Sequence, residues 1–324
     1  MSAASSLMLA AALLVAGVET HAQVLNLQPI EIPTWFTETL LEFPEEARDA
    51  AREGKRLMLY FGQDGCPYCK ELMQTNFTQR AIIEKTSKHF VAIALNIWGD
   101  REVTWIDGRK TTEKELARAL KVQFTPTLMF LDDQGAVVAR LNGYYPPHHF
   151  TAALDYAAGI AGKGMRFEDY MRLAVKESAS PKLHEEPFFL KPPVELRRSR
   201  PVALLFETPH CTGCDELHRE GFRRAEVRKL IESFDVYRLR LEDRRDATST
   251  WAGALRVAYT PTIVFFDAGK EVLRIEAYLR PFHLASALDY VASGAFRAEP
   301  SFQRYVQARA ERMRERGENV DLWK

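Results

Sequence analysis

The feature that most limits what this chain can fold into is a Cys-x-x-Cys pair that occurs twice in the same setting. Residues 57–61 (LMLYF) are apolar, break at Gly62-Gln63-Asp64-Gly65, present Cys66-Pro67-Tyr68-Cys69 and continue with helical spacing. Residues 202–206 (VALLF) lead in the same way to Cys211-Thr212-Gly213-Cys214. A β-rich run that ends at such a pair and opens a helix is how a redox dithiol is presented. Unpaired N–H groups and the positive end of the helix dipole stabilise an anion there, so the first sulfur can be a thiolate near neutral pH. A thiol of pKa about 8.5 is brought to roughly 3.5–7.5 in such settings. Pro67 suits the first helical turn, because the donor it lacks would be unpaired anyway. Cys69, Met73 and Phe77 are four apart and share one face, so Cys69 is expected to be shielded and Cys66 to be the exposed attacker.

The repetition runs well beyond the cysteines. Both pairs are offset by 145 (211 − 66 and 214 − 69), and Thr125-Pro126 and Thr260-Pro261 by 135 (260 − 125). Ala153-Leu154-Asp155-Tyr156 and Ala287-Leu288-Asp289-Tyr290 are offset by 134 (287 − 153). The ten-residue difference falls between dithiol and Thr-Pro, where the first copy alone carries the polar excursion 98–112. Phe167 and Tyr170 correspond to Phe302 and Tyr305 in the trailing segments. Self-similarity of this extent is a duplicated structural unit.

Within each copy the elements follow one order. A helix over 45–52 begins after Pro44 and stops at Gly54. The apolar run 90–95 suits a buried parallel strand. Thr112 and Glu115 form a capping box for a helix over 113–120. Strands over 128–131 and 137–141 make a hairpin around Asp132-Asp133-Gln134-Gly135, and a helix covers 147–158. The second copy repeats this with strands over 202–206, 234–241, 263–266 and 272–275 and a helix over 281–290. The fold class expected is α/β, in two tandem units.

Size and charge agree with that division. A chain of 324 residues exceeds one domain of about 150. Lys plus Arg and Asp plus Glu both number 44, so no net field attracts nucleic acid or an anionic membrane. All four cysteines lie in the two pairs, which points to catalysis or metal binding and away from stapling. Zinc ribbons place their pairs about 15–20 residues apart, whereas 141 residues lie between Cys69 and Cys211. Attached haem needs a histidine where Lys70 and Asp215 stand. Copper delivery stays an alternative, since soft thiolates select Cu(I).

Residues 7–18 (LMLAAALLVAGV) are apolar but shorter than the roughly 20 residues that span a bilayer. With Thr20 and Ala22 following, residues 1–22 read as an export signal, although no Lys or Arg precedes the run. No stable membrane insertion is expected after its removal. The first domain is placed at 23–178 and the second at 201–324. The segment 179–200, with Pro181, Pro187, Pro192 and Pro193, reads as a semi-stiff linker. Phe188, Phe189 and Leu190 within it are apolar enough to dock on a domain. The highly charged helix at 304–316, with Tyr305, Val306 and Met313 as candidate inner contacts, is expected to be solvated, with partner binding as the alternative.

This order of elements resembles the thioredoxin superfamily, with each repeat as one such domain. The first repeat is similar to the SoxW-type thioredoxins of bacterial sulfur-oxidation systems. The similarity lies in Gly65-Cys66-Pro67-Tyr68-Cys69-Lys70, in residues 95–103 (LNIWGDREV), in Lys114-Glu115-Leu116-Ala117 and in Phe124-Thr125-Pro126-Thr127. The resemblance implies two central mixed sheets flanked by helices and a periplasmic location. It implies dithiol–disulfide exchange with protein substrates through Cys66, Cys69, Cys211 and Cys214, with no cofactor and no metal, and electrons from a membrane thiol carrier. It further implies cis peptides before Pro126 and Pro261, with Thr125, Pro126, Thr260 and Pro261 forming the substrate-binding loops that face the first cysteines.

The sequence departs from that family at one place. Relatives often carry a buried Asp six residues before the first cysteine, whereas Tyr60 and Leu205 stand there. His218, four after Cys214, is a candidate base for it, against a plain surface or capping histidine. His210 could depress the Cys211 thiol or be a loop residue only. A reductase is the preferred reading, with the first repeat facing substrate and the second relaying electrons or adding a binding surface. An oxidase or isomerase, or a peptide- or copper-binding module, is the alternative, because such potentials span about −270 to −120 mV.

Overall fold

A computed structural model describes residues 28–175, 179–241 and 247–322 of the chain. The expected export signal lies outside these residues. The first half runs α1 (Phe43–Arg52), β1 (Arg56–Gly62), α2 (Pro67–Glu71), α3 (Arg80–His89), β2 (Phe90–Asn96), β3 (Glu102–Thr104), β4 (Lys110–Thr112), α4 (Glu113–Ala119), β5 (Thr127–Leu131), β6 (Val137–Asn142), α5 (Pro147–Ala157) and α6 (Phe167–Ala174). The second runs β7 (Phe189–Leu190), β8 (Val202–Glu207), α7 (Thr212–Glu216), α8 (Ala225–Ile231), β9 (Asp235–Arg240), α9 (Ala247–Ala254), β10 (Thr262–Asp267), β11 (Lys270–Glu276), α10 (Pro281–Ala292) and α11 (Phe302–Glu315). A wide π turn follows both α2 and α7.

Each half builds one mixed sheet. The first has the order β2-β1-β5-β6, and the second β11-β10-β8-β9-β7. The central strands β1 and β8 pair in parallel with β2 and β9, and antiparallel with β5 and β10. Both are buried on their two faces, which is why they read as unbroken apolar runs.

Alternation along the strands divides the core into three parts. Leu57, Leu59 and Phe61 face a cluster belonging to the first domain, and Val202, Leu204 and Phe206 face one belonging to the second. The opposite residues, Met58 and Tyr60 with Ala203 and Leu205, belong to a single cluster that crosses from one domain to the other. The two domains therefore share an interior. The strand ends β6 and β11 meet at equivalent positions, where Asn142 Nδ2 donates to Glu276 Oε2 at 2.9 Å.

Three sequence expectations need correction. The excursion 98–112 contains a two-stranded ribbon, β3 with β4, and Trp105 from it stacks on Phe43 of α1. The charged C-terminal helix is solvated on one face only: Arg304, Arg312, Arg314 and Glu315 are exposed, while α11 buries Phe302, Tyr305, Val306, Arg309 and Ala310. Arg309 can be buried because Asp289 and Glu226 pair with its guanidinium, which also lies over the Phe282 ring. The segment 179–200, expected as a linker, contributes β7, which pairs in parallel with β9 through Phe189↔Val236 and Leu190↔Tyr237. The capping box holds α4, with the Thr112 side chain accepting from Glu115 N–H and Glu115 accepting from Thr112 N–H.

Candidate functional site: two dithiols facing opposite domains

In the first domain, Gly65 turns the chain at φ +71° and its N–H donates to Gln28 O at 2.8 Å, delivering Cys66 to the start of α2. Cys66 is the N-cap residue, and its sulfur accepts from the Cys69 N–H at 3.0 Å. Cys66 and Cys69 are joined as a disulfide, their Cα atoms 5.2 Å apart. Thr125-Pro126 is cis and faces the pair. The Cys66 sulfur lies 3.4 Å from the Thr125 carbonyl oxygen, and the Thr125 hydroxyl donates to it at 3.3 Å. Gln63 ties this loop to its surroundings: its Nε2 donates to Thr125 Oγ1 and to Gln303 Oε1, while Trp98 Nε1 donates to its Oε1. Tyr60 supplies no base beneath the dithiol. Burial, and then the Asp64 charge, hold its phenol far above the ordinary range.

The second domain repeats the frame with different chemistry. Cys211 caps α7, its sulfur accepts from the Cys214 N–H at 3.1 Å, and the pair is a disulfide with Cα atoms 5.2 Å apart. Thr260-Pro261 is also cis, but the Thr260 hydroxyl bonds the Thr208 hydroxyl at 3.1 Å. Gly213 is small because the loop comes close: a Cβ there would sit 2.9 Å from Pro261 Cδ and 3.7 Å from Tyr278 Cβ.

Beside this pair lies a buried ionic cluster. His218 is 4% exposed and bonds Glu207 Oε1 through Nε2 at 2.9 Å and Glu186 Oε1 through Nδ1 at 3.0 Å. It is therefore neither a surface nor a capping histidine. Each ring nitrogen faces a carboxylate oxygen, an arrangement that suits a protonated imidazole donating from both. Burial alone would lower its pKa; the hydrogen bonds and charges of Glu207, then Glu186, outweigh that and raise it. Glu207 is 1% exposed, and its Oε2 has no hydrogen-bond partner among the described residues. His184 stacks on His218 at 4.6 Å and bonds Asp215 Oδ1 at 2.7 Å, and Asp215 Oδ2 accepts from Ser180 N–H. At the equivalent positions the first domain has Gly62 and Met73. Sequence reasoning missed Glu207. Its signal was a charge ending an otherwise apolar strand four residues before Cys211. His210, outside this cluster, is exposed with φ +58° and its Nδ1 lies 3.2 Å from Ala179 O.

The expected exposure of Cys66 is corrected: it is 3% exposed, because the second domain covers it. Tyr278, Leu279 and His283 close one side and Phe302, Gln303 and Val306 of α11 the other, leaving a cavity of about 50 Å³. Tyr68, inside the Cys-x-x-Cys pair, meets His283 edge to face at 5.1 Å and lies under the Arg280 guanidinium, which also pairs with Glu71 at 2.9 Å. Burial, then the Arg280 charge, push the His283 pKa down to about 4, so the imidazole is neutral.

The reciprocal arrangement surrounds Cys211. His149, the counterpart of His283, and Met171, Arg172 and Leu173 of α6 line a groove of about 640 Å³ that reaches Cys211. Each domain thus turns its trailing helix and one histidine toward the dithiol of the other. The outcomes differ in the room beside each sulfur and not in the burial of the cysteine itself: Cys211 is 4% exposed, but about 640 Å³ adjoins it, against about 50 Å³ at Cys66. A further groove of about 490 Å³ runs between Tyr68 and Thr212-Gly213, with Tyr278 lining both it and the Cys66 cavity.

Among the described residues no group of three or more His, Cys, Asp or Glu is placed to hold a metal ion, and no helix is long and apolar enough to cross a membrane. The profile of the thioredoxin-like domain family matches residues 43–158 and 196–292. Among solved structures, a thioredoxin-fold protein from Helicobacter pylori is 30% identical, over 33% of this chain and 70% of its own, with a TM-score of 0.28. A thioredoxin from Thermus thermophilus is 27% identical over 38% of this chain and 92% of its own, with a TM-score of 0.29. A DsbH oxidoreductase is 18% identical over 42% and 94%, with a TM-score of 0.30. No curated protein matches the chain.

Proposed function

This chain belongs to the thioredoxin-like domain family, and on that footing we propose that it is an exported thiol–disulfide oxidoreductase acting on protein disulfides. One observation carries the reading. In both domains a Cys-x-x-Cys bridge caps a helix, with the first sulfur accepting a backbone N–H, beside a cis Thr-Pro loop. That N–H, 3.0 Å from Cys66 and 3.1 Å from Cys211, favours the thiolate once the bridge is open.

The reduced first cysteine attacks a substrate disulfide sulfur, forming a mixed disulfide and expelling one substrate thiolate. The second cysteine then attacks the first, closes the bridge and expels the other. Two electrons and two protons pass to the substrate. The preferred direction is reduction, with electrons from a membrane thiol carrier, and the apolar stretch at 7–18 supports export. Reduction of insulin disulfides by the full chain tests the reading: Cys66→Ala combined with Cys211→Ala abolishes turnover. Persistent turnover in that double variant refutes it. A redox titration against glutathione separates a reductase from an oxidase.

A further inference from the structure

We propose that helix α11 sets the substrate class of the first dithiol: it shuts Cys66 to protein chains and leaves it to low-molecular-weight thiols and disulfides, so that protein disulfides are met by Cys211. The inference rests on the thiol–disulfide reading above and deepens it. It also reverses the expectation that the first repeat faces the protein substrate.

The closure is built from specific contacts. Phe302 N–H donates to Gln123 Oε1 at 3.2 Å, Gln303 Nε2 donates to Gln123 O at 3.1 Å, and Gln123 Nε2 donates to Pro300 O at 3.2 Å. Gln303 Oε1 accepts from Gln63 at 2.8 Å, and the Phe302 ring meets Phe124 at 5.1 Å. Arg304 lies over the Trp98 ring at 5.1 Å. The chain leading into the Thr125-Pro126 loop, at Gln123 and Phe124, and the neighbouring Gln63 and Trp98 are thus engaged by α11 and its lead-in before any substrate arrives. An added strand needs a clear lane about 4.8 Å from its neighbour, whereas about 50 Å³ remains here. That volume takes a water or two, or the sulfur end of a small molecule. At Cys211, itself only 4% exposed, the corresponding space is about 640 Å³, so the two dithiols differ in the room for a bulky partner beside the sulfur.

The chemistry at Cys66 needs no more room than that. Its thiolate attacks one sulfur of a small disulfide RSSR, forming Cys66–S–S–R and releasing RS⁻. The Cys69 thiolate then attacks the Cys66 sulfur and releases the second RS⁻. The dithiol loses two electrons and two protons, and RSSR becomes two RSH.

The test uses the full-length chain with dithiothreitol as electron donor, insulin as the protein disulfide and 2-hydroxyethyl disulfide as the small one. Cys211→Ala with Cys214→Ala leaves the first dithiol alone, and Cys66→Ala with Cys69→Ala leaves the second. Both should reduce the small disulfide. The first dithiol alone should reduce insulin at least about tenfold more slowly than the second alone, since a protein reaches only a rarely open form. Gln303→Ala, and separately Phe302→Ala, in the first-dithiol chain should raise the insulin rate by a larger factor than the small-disulfide rate, because both side chains wall the Cys66 cavity. Equal insulin rates for the two dithiols, or no such preferential rise with either substitution, overturn the proposal while the oxidoreductase reading stands. Failure of both chains on both probes removes that reading instead.

Discussion

The Tyr68 phenol oxygen accepts the backbone N–H of Arg280 at 2.8 Å, so a residue between the two cysteines of the first dithiol is held by the other domain. Tyr68→Phe removes the acceptor of this part-buried N–H. The cost is about 1–3 kcal/mol. Urea unfolding should show a lower midpoint at unchanged slope, and alkylation of the reduced protein should reach Cys66 faster. An unchanged midpoint would show that this bond adds nothing to the domain contact.

His218 makes stability depend on pH in a defined direction. Its folded pKa lies above the ordinary 6.5, because Glu207 and Glu186 outweigh the effect of burial. The stabilisation is complete below pH 6.5 and is lost as pH rises through the raised value. The unfolding free energy of the wild type relative to His218→Gln should therefore shrink as pH rises from 6.5. A gap that widens with pH contradicts the assignment. His218→Ala, which takes the only hydrogen-bond partner among the described residues from the buried Glu207 carboxylate while Glu186 keeps its ion pair with Arg228, should cost about 3–5 kcal/mol at pH 6.

Gly213→Ala tests the close approach of the second cis-proline loop. The new methyl would meet Pro261 Cδ at 2.9 Å, so the loop or α7 must shift. A displacement near 1 Å can cost about a hundredfold in rate. Insulin reduction by the chain with only the second dithiol should fall by up to that factor, and reduction of small disulfides by the first dithiol should not change.

Thr112→Ala removes the capping box of α4, none of whose residues lines the space beside Cys66 or Cys211. Thermal unfolding should report a loss of about 1 kcal/mol. Dithiol reactivity should be unaffected, and a change in it would mean that α4 communicates with the site.

Features written into short stretches of chain were legible in the sequence. The dithiols, the Thr-Pro loops, the capping box and the central strands each depend on neighbours within a few residues, and the duplication made them visible twice. What was not legible depends on distant partners. His218 looks like a helix-surface residue until Glu186, 32 residues before it, reaches back to it. In α11, Phe302, Tyr305, Val306 and Ala310 do follow helical spacing, but the arginines between them suggested solvent. Only the pairing of Arg309 with Asp289 and Glu226 reveals why that stripe is buried. Phe189-Leu190 is too short a strand to announce itself, and it takes its place from β9.

The apolar layer that runs continuously from Met58 and Tyr60 to Ala203 and Leu205 bears on how the copies can be used apart. Severing the polypeptide near residue 179 would strip each fragment of a cover its sheet requires, leaving a sticky flank on both. Neither half is a ready-made module for grafting elsewhere. Two dithiol-bearing domains of one frame thus lend each other cover as well as controlling each other's access.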